Sequence, residues 1–233
     1  MTQRMIEITS PTFVPEQQLG APADFAALFG NDNPLALEIG CGIGDFMVQL
    51  AAQQPQRNFL AIDIYNKGCY KTCRRIDTTG LTNVRVMRIE ARLLLERYLT
   101  MESLAAVYIN CPDPWPKKRH RRRRLVNRDF LQTLLYYLRP GGELFFSTDF
   151  TDYAEQVAPQ LLELPGYQSS LAQLPAPLPD DYPRSKYMRR FIEQGQPIHF
   201  LHSSKKESCP SGPHLLAPVS PGFRTSWSTL QHG

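Results

Sequence analysis

The chain has 233 residues, enough for one substantial domain, and its apolar fraction of 42% and charged fraction of 21% are ordinary for a soluble globular protein. No apolar run approaches the roughly 18 residues of a membrane span, and the first residues lack a signal peptide's apolar core. We therefore expect a cytoplasmic protein without a membrane partner. The formal net charge is +4, and one segment accounts for its sign. Residues 117–124 carry seven Lys or Arg, whereas the formal charges of all other residues sum to −3.

Strands and helices alternate along the central part of the sequence. Residues 1–33 mix Pro, Gly, Asp and Asn with short apolar pieces, which predicts an irregular N-terminal extension. The apolar patterns then predict strands at 35–39, 59–64, 84–89, 105–110, 143–148 and 198–202, and helices from 45 and over 67–77, 91–99, 128–138 and 152–164. This alternation indicates an α/β domain over 34–206 with a mostly parallel sheet. Residues 207–233 have no periodicity and predict a flexible tail.

A glycine-rich turn follows the first predicted strand. Residues 38–44 read EIGCGIG, and the carboxyl ends of strands are where open α/β sheets bind ligands. The spacing differs from the G-x-G-x-x-G of dinucleotide sites. The carboxylate of Asp45, at the predicted start of the helix, would also repel a pyrophosphate bound at that helix N-terminus. The turn therefore disfavours NAD and FAD.

Acidic residues end or follow three further strands. Asp63 lies near the end of the second strand, Glu90 follows the third, and Asp113 follows the fourth between two prolines that restrict its backbone. A single acid at a strand end is more often a helix cap or a solvated residue. Together with Glu38, these acids predict a ligand site on one rim of the sheet. The five cysteines are scattered and lack a clustered set of further ligands, so we expect no metal site.

The segment that follows Asp113 is rich in cations. Trp115 offers a flat surface for a nucleobase, and the cations up to Arg124 could contact phosphates without reading sequence. The alternative is a tryptophan packed on the domain beside a solvated arginine run. Charge alone does not decide between the two.

Two motifs resemble a known family. The glycine turn resembles motif I of class I S-adenosylmethionine-dependent methyltransferases. Residues 110–126, NCPDPWPKKRHRRRRLV, closely resemble the signature of the tRNA (guanine-N7)-methyltransferase family, and the likeness extends over about residues 35–202 through PGG at 140–142, STD at 147–149 and GQPI at 195–198. The resemblance implies a Rossmann-like fold with a seven-stranded sheet, and S-adenosyl-L-methionine as cofactor. It also implies methyl transfer to N7 of a guanosine in the tRNA variable loop. We expect a monomer or homodimer without an obligate second subunit.

The family's roles carry over onto matching positions. The resemblance assigns catalysis to Asp113. It assigns cofactor contacts to Glu38, Gly40, Gly42, Asp63, Glu90 and Asp113. It assigns substrate contacts to Lys117, Arg119, His120, Arg121, Arg122, Arg123, Arg124, Asp149, Ser185, Lys186, Tyr187 and Met188.

One of these positions departs from the family pattern. The last family motif is Thr-x-(Tyr/Phe)-Glu, and Met188 stands where it has the carboxylate. The departure predicts reduced rather than absent activity, with Asp113 as the main remaining carboxylate. The main alternative is a methyltransferase-like RNA-binding protein with lost or altered activity. A small-molecule methyltransferase would explain the glycine turn but leave the clustered cations without a role.

Overall fold

A computed structural model describes residues 5–209, and its centre is one mixed sheet with helices on both faces. The strands are β1 (Leu35–Ile39), β2 (Asn58–Asp63), β3 (Val84–Arg88), β4 (Leu104–Asn110), β5 (Leu138–Thr148), β6 (Tyr167–Ser169), β7 (Ala176–Pro177) and β8 (His199–Lys205). The α-helices are α1 (Phe25–Phe29), α2 (Asp45–Gln53), α3 (Asn66–Thr79), α4 (Ala91–Tyr98), α5 (Arg128–Tyr137), α6 (Thr151–Glu163) and α7 (Lys186–Glu193). Short 3-10 helices span Glu16–Gln18 and Lys118–Arg123.

The sheet runs in the order β3-β2-β1-β4-β5-β8-β6, with β7 paired to β8. The first five strands pair in parallel, and β8 runs antiparallel to β5, β6 and β7. The predicted α/β class with a mostly parallel sheet is confirmed. The path holds the expected seven strands, and the two-residue β7 adds an eighth. Because strand order reverses beside β1, the loops after β1 and β4 part there and leave room for a ligand.

The core consists of one apolar layer on each face of the sheet. All five residues of β1 are buried, as expected for a parallel strand covered on both faces. On one face, α4, α5 and α6 contribute residues such as Leu94 and Val157 to the larger cluster. On the other face, α2 and α3 contribute Phe46 and Ile76. These layers hold the carboxyl ends of the parallel strands in a fixed rim.

Three segments differ from the sequence expectations. The N-terminal extension pairs with the sheet, because the Val14 N–H donates to the Val86 carbonyl at 2.8 Å and Val14 is buried. Residues 140–142, between the predicted helix at 128–138 and the predicted strand at 143–148, lie within β5, as a bulge between two paired stretches. α7 was not predicted, although Tyr187, Met188, Phe191 and Ile192 recur at helical spacing, because the pattern spans only eight residues.

The predicted tail lies outside the described residues from position 210 onward. Within residues 5–209, no helix is both long enough and apolar enough to cross a membrane.

Candidate functional site

The glycine turn after β1 is open on one side and tightly packed on the other. Gly40 and Gly42 have φ angles of +84° and +57°, and a Cβ at either position would meet no atom within 4 Å. Behind the turn, a Cβ on Gly68 of α3 would lie 2.5 Å from the Gly42 carbonyl oxygen. The absence of a side chain at Gly68 therefore lets α3 support the turn, and the open side of the turn faces a cavity.

The cavity has a volume of about 410 Å³ and lies at the carboxyl ends of β1 to β4. This volume is within the usual range for small-molecule sites. The residues predicted for the site that line it are Glu38, Gly40, Gly42, Asp63, Glu90, Asp113, Arg123, Ser185, Lys186 and Tyr187. The fold thus brings together all six residues expected to contact the cofactor and four of those expected to contact the substrate.

Glu38 is the most deeply buried acid of the cavity wall. Its side chain is 1% exposed, and its Oε2 has no hydrogen-bond partner within the described part of the chain. Burial, followed by the nearby charge of Asp63, raises the pKa of Glu38 to about 8. An unpartnered buried carboxyl group is costly, and a cation in the cavity would stabilise its ionised form.

Asp63 and Glu90 are held by backbone groups. Asp63 accepts from the N–H groups of Gly42 and Tyr65, both at 2.8 Å, and burial raises its pKa. Glu90 caps α4, because its Oε2 accepts from the N–H groups of Arg92 and Leu93 at 2.7 and 3.2 Å. Its Oε1 accepts from the Arg92 guanidinium at 2.9 Å. Both acids therefore fix the turns around the cavity in addition to lining it.

The loop with Asp113 is strained at both ends. Cys111 and Trp115 have φ angles of +45° and +44°, a left-handed conformation that costs a non-glycine residue about 1–2 kcal/mol. Two contacts hold the loop in this shape. The Cys111 N–H donates to the Ser147 carbonyl at 2.8 Å, and Arg124 Nε donates to the Pro114 carbonyl at 2.8 Å. Asp113 itself is exposed at the cavity wall.

Arg124 differs from its predicted role. The sequence placed it among the RNA-contacting cations, but its side chain is fully buried beneath the loop. Its guanidinium donates to Asp152 at 2.6 Å and Gln156 at 2.5 Å, and lies 4.7 Å from the centre of the Tyr153 ring. A buried guanidinium with every contact inside the protein cannot reach a phosphate. Arg124 therefore ties the Asp113 loop to α6.

The outer part of the loop is arranged around Trp115. Residues 118–123 form a 3-10 helix, an element that the sequence patterns did not predict. Arg123 lies over the Trp115 ring, 5.0 Å from its centre. The His120 ring is nearly perpendicular to the indole ring, and the two ring centres are 5.9 Å apart. The cations exposed to solvent are Lys117, Lys118, Arg119 and Arg122. Arg121 is half-buried and forms an ion pair with Asp152.

Met188 lies outside the cavity wall. It is fully buried in the first turn of α7, where its Sδ accepts from the Ser185 N–H at 3.4 Å. The Ser185 hydroxyl in turn accepts from the Met188 N–H at 3.2 Å. This reciprocal pattern is a capping box, in which position 188 usually has Glu or Gln. Asp149, which follows β5, also lies outside the residues that line the cavity.

Asn110 is a cavity residue that the sequence analysis missed. Its Oδ1 accepts from the Ser147 hydroxyl at 2.9 Å and the Tyr182 hydroxyl at 3.0 Å. Its Nδ2 is buried and lacks a partner among residues 5–209. A polar side chain that ends an otherwise apolar strand was the available sequence signal. The cavity wall therefore includes an unpaired donor as well as an unpaired carboxyl oxygen.

Comparison with known proteins gives matches over the same part of the chain. A family model described as "Putative methyltransferase" matches residues 32–201. A tRNA (guanine-N(7)-)-methyltransferase of Syntrophotalea carbinolica is 63% identical over 231 residues, which are 98% of each chain. Its counterpart in Geobacter metallireducens is 52% identical over 87% of this chain and 97% of its own. The solved 16S rRNA methyltransferase KamB, 17% identical, superposes with a TM-score of 0.59 over 78% of this chain and 92% of its own, which shows a shared fold.

Proposed function

Because the chain belongs to the tRNA (guanine-N7)-methyltransferase family, we propose that its cavity binds S-adenosyl-L-methionine and presents the methyl group to N7 of a tRNA guanine. The protein is thus a tRNA-modifying enzyme. Within the family reaction, the target guanosine is proposed to lie in the variable loop. The proposed catalytic unit is residues 34–206, acting as a monomer or homodimer without an obligate second subunit. A single sedimentation experiment distinguishes these oligomeric states.

The residues of the cavity fit this cofactor. The open side of Gly40 and Gly42 lets a ligand approach the backbone closely. The unpaired Glu38 Oε2 suits the ammonium group of a methionine moiety. Asp63 and Glu90 border the same space and suit ribose and adenine contacts. When bound, the cofactor supplies a methyl group on a sulfonium centre.

The reaction requires alignment more than proton transfer. Guanine N7 has a free lone pair, so a bond to the methyl carbon can form while the carbon–sulfur bond breaks, and no base is needed. Holding the two reactants in line supplies much of the acceleration. Positive charge develops on the purine ring, and the carboxylate of Asp113 on the cavity wall can stabilise it.

The cavity also has groups suited to recognising guanine. Trp115, held in place by Arg123 and His120, can stack on a base. The unpaired Nδ2 of Asn110 can donate to O6, which is the acceptor beside N7. Adenine has an amino group at that position and would leave the donor unsatisfied. The exposed cations from Lys117 to Arg122 are placed to contact phosphates outside the cavity.

The observation that carries this proposal is the shared cavity of the glycine turn, the buried Glu38 and the loop of Asp113. The test is incubation with labelled S-adenosylmethionine and unmodified tRNA transcript, followed by aniline cleavage at 7-methylguanosine. We expect label in the RNA and one cleavage site in the variable loop. Absence of label from the RNA would favour the alternative, an RNA-binding protein without this activity.

The role of Asp113 is tested with Asp113→Asn, which keeps the shape of the side chain and removes its charge. We expect methyl transfer to fall by at least about a hundredfold, as for loss of one transition-state contact. Affinity for tRNA should remain within about twofold. Equal losses of transfer and RNA binding would assign Asp113 to structure instead.

A further inference from the structure

A second group of cations lies on the opposite side of the cavity from the arginine-rich loop. The segments 65–76 and 182–192 each contain four Lys or Arg and no Asp or Glu. Their cations are Lys67, Lys71, Arg74, Arg75, Arg184, Lys186, Arg189 and Arg190, called here the α3–α7 strip. Apart from the half-buried Arg184, all are exposed.

The strip is continuous across two helices that are distant in sequence. Asp45, the first residue of α2, accepts from Arg75 of α3 at 3.2 Å and from Arg189 of α7 at 2.7 Å through the same Oδ1. The Gln49 side chain of α2 also donates to the Arg184 carbonyl at 3.0 Å. The N-terminus of α2 therefore joins the cations of α3 and α7 into one surface.

Helical spacing places the unpaired cations of the strip on the outside. Lys67, Lys71 and Arg74 recur every three or four residues, which puts them on one face of α3. Within the described part of the chain, only Arg75, Arg184 and Arg189 of the strip pair with a carboxylate. The rest are available to an anionic partner.

The strip borders the cavity. Asp45 and Lys186 line it, and so does Tyr65, the residue that precedes α3. In the sheet, β1 lies between β2 and β4, so Tyr65 and Trp115 lie on opposite sides of β1. The two basic surfaces thus flank the mouth of one cavity. A tRNA with one base in that cavity is large enough to reach both surfaces.

The charge balance also supports a polyanionic partner. Of the 26 Lys and Arg residues, seven lie in 117–124 and eight in the strip, which leaves 11 against 22 Asp and Glu elsewhere. Outside the two surfaces that flank the cavity, the chain is therefore strongly acidic. Such an asymmetry steers a polyanion toward the cavity and repels it from the rest of the molecule.

We propose that the α3–α7 strip binds backbone phosphates of the substrate tRNA, on the side of the cavity opposite the arginine-rich loop. The proposal rests on the function proposed above, because it takes the cavity as the site that receives the tRNA base. The strip contributes affinity and orientation, and the chemistry stays with the cavity.

The test uses the full chain with K71Q/R190Q, which removes one exposed, unpaired cation from each helix. We expect the tRNA dissociation constant to rise about tenfold near 0.1 M salt, and the slope of log K against log salt to fall by roughly 1.4–1.8. The rate at saturating tRNA and the affinity for S-adenosylmethionine should stay unchanged. The pair K67Q/R74Q gives an independent second measurement.

The matched control is R97Q/R139Q, which changes the net charge equally. Arg97 lies in the last turn of α4 and Arg139 lies near the start of β5, both at the amino-terminal edge of the sheet, away from the cavity. We expect this control to keep the wild-type affinity and salt slope. If both strip variants match the control while the wild type methylates tRNA, the strip is not an RNA surface. If the wild type itself does not bind tRNA, the proposed function fails as well.

Discussion

Glu38, Asp63 and Glu90 of the cavity wall are shielded from solvent, whereas most cations of the outer loop are exposed to it. Glu38 and Glu90 are buried, and Asp63 and Glu90 accept from backbone N–H groups that fix their orientation. Residues 117–119 and Arg122 are exposed. A buried carboxylate that accepts backbone hydrogen bonds, such as Glu90, fixes local geometry, whereas an exposed cation keeps its hydration until a phosphate replaces it. The first region can define a cavity, and the second can attract a large flexible anion.

Arg124 combines features of both regions. It continues the run of cations in sequence, but its contacts are those of a buried group. Through the Pro114 carbonyl it holds the strained loop of Asp113, and its ion pair holds the pKa of Asp152 below the usual value. Adjacent arginines can therefore serve opposite purposes.

The largest effect on stability and on rate is expected for Arg124→Met, which tests the difference between a buried and an exposed arginine of the same run. The change leaves Asp152 without its buried partner and frees the Pro114 carbonyl, so we expect a loss of about 3 kcal/mol in the free energy of unfolding. The maximal rate should fall by about a hundredfold because Asp113 loses its position. Denaturant unfolding and steady-state kinetics measure the two effects. The exposed Arg122→Met is the control, with stability within about 0.5 kcal/mol of wild type.

The next effect concerns the outer loop and tests whether its charge acts on RNA alone. For R119Q/R122Q we expect about tenfold weaker tRNA binding and a salt slope lower by roughly 1.4–1.8, because both cations are exposed. Stability and the affinity for S-adenosylmethionine should not change. Titrations of labelled tRNA at several salt concentrations measure the slope. A changed cofactor affinity would mean that the two regions are not separate.

The pH dependence of stability and cofactor binding tests the role of the buried Glu38. The pKa of Glu38 is raised to about 8, so the free protein holds it protonated at neutral pH and loses stability as pH rises from about 4.5 through 8. A cofactor ammonium favours the ionised form, so cofactor affinity should rise about fivefold from pH 7 to 8. Calorimetric titration measures it. Glu38→Gln should remove the part of this dependence that comes from Glu38, and an unchanged profile would contradict the assignment.

The smallest effect is expected for Met188→Glu. From sequence, a carboxylate at this position would raise the activity. In the structure, the side chain at 188 caps the Ser185 N–H, and a Glu there would make the usual capping box at a helix N-terminus. We therefore expect the methylation rate to change by less than about threefold. A larger increase would show that position 188 reaches the reacting base.

The elements that follow a strong apolar pattern could be predicted from the sequence. β1 matches its predicted bounds, and the helix from Asp45 begins where expected, because a buried strand and an amphipathic helix each have a clear period. α7 shows its period over only eight residues and β6 spans only three, so both were missed. In the site, motif spacing indicated Asp63 and Asp113, whereas the unpaired amide of Asn110 depends on neighbours far along the chain.

By itself, the sequence determined the alternating fold, the glycine turn, the acids at the strand ends and the run of cations. Each of these features depends on residues that are close together in the sequence. Only the tertiary structure decided which of those charges are buried. It turned Arg124 inward, placed Met188 in a helix cap and joined α3 to α7 through Asp45. The physical reason is that burial and pairing depend on contacts between segments as far apart as Asp45 and Arg189, which no local pattern records.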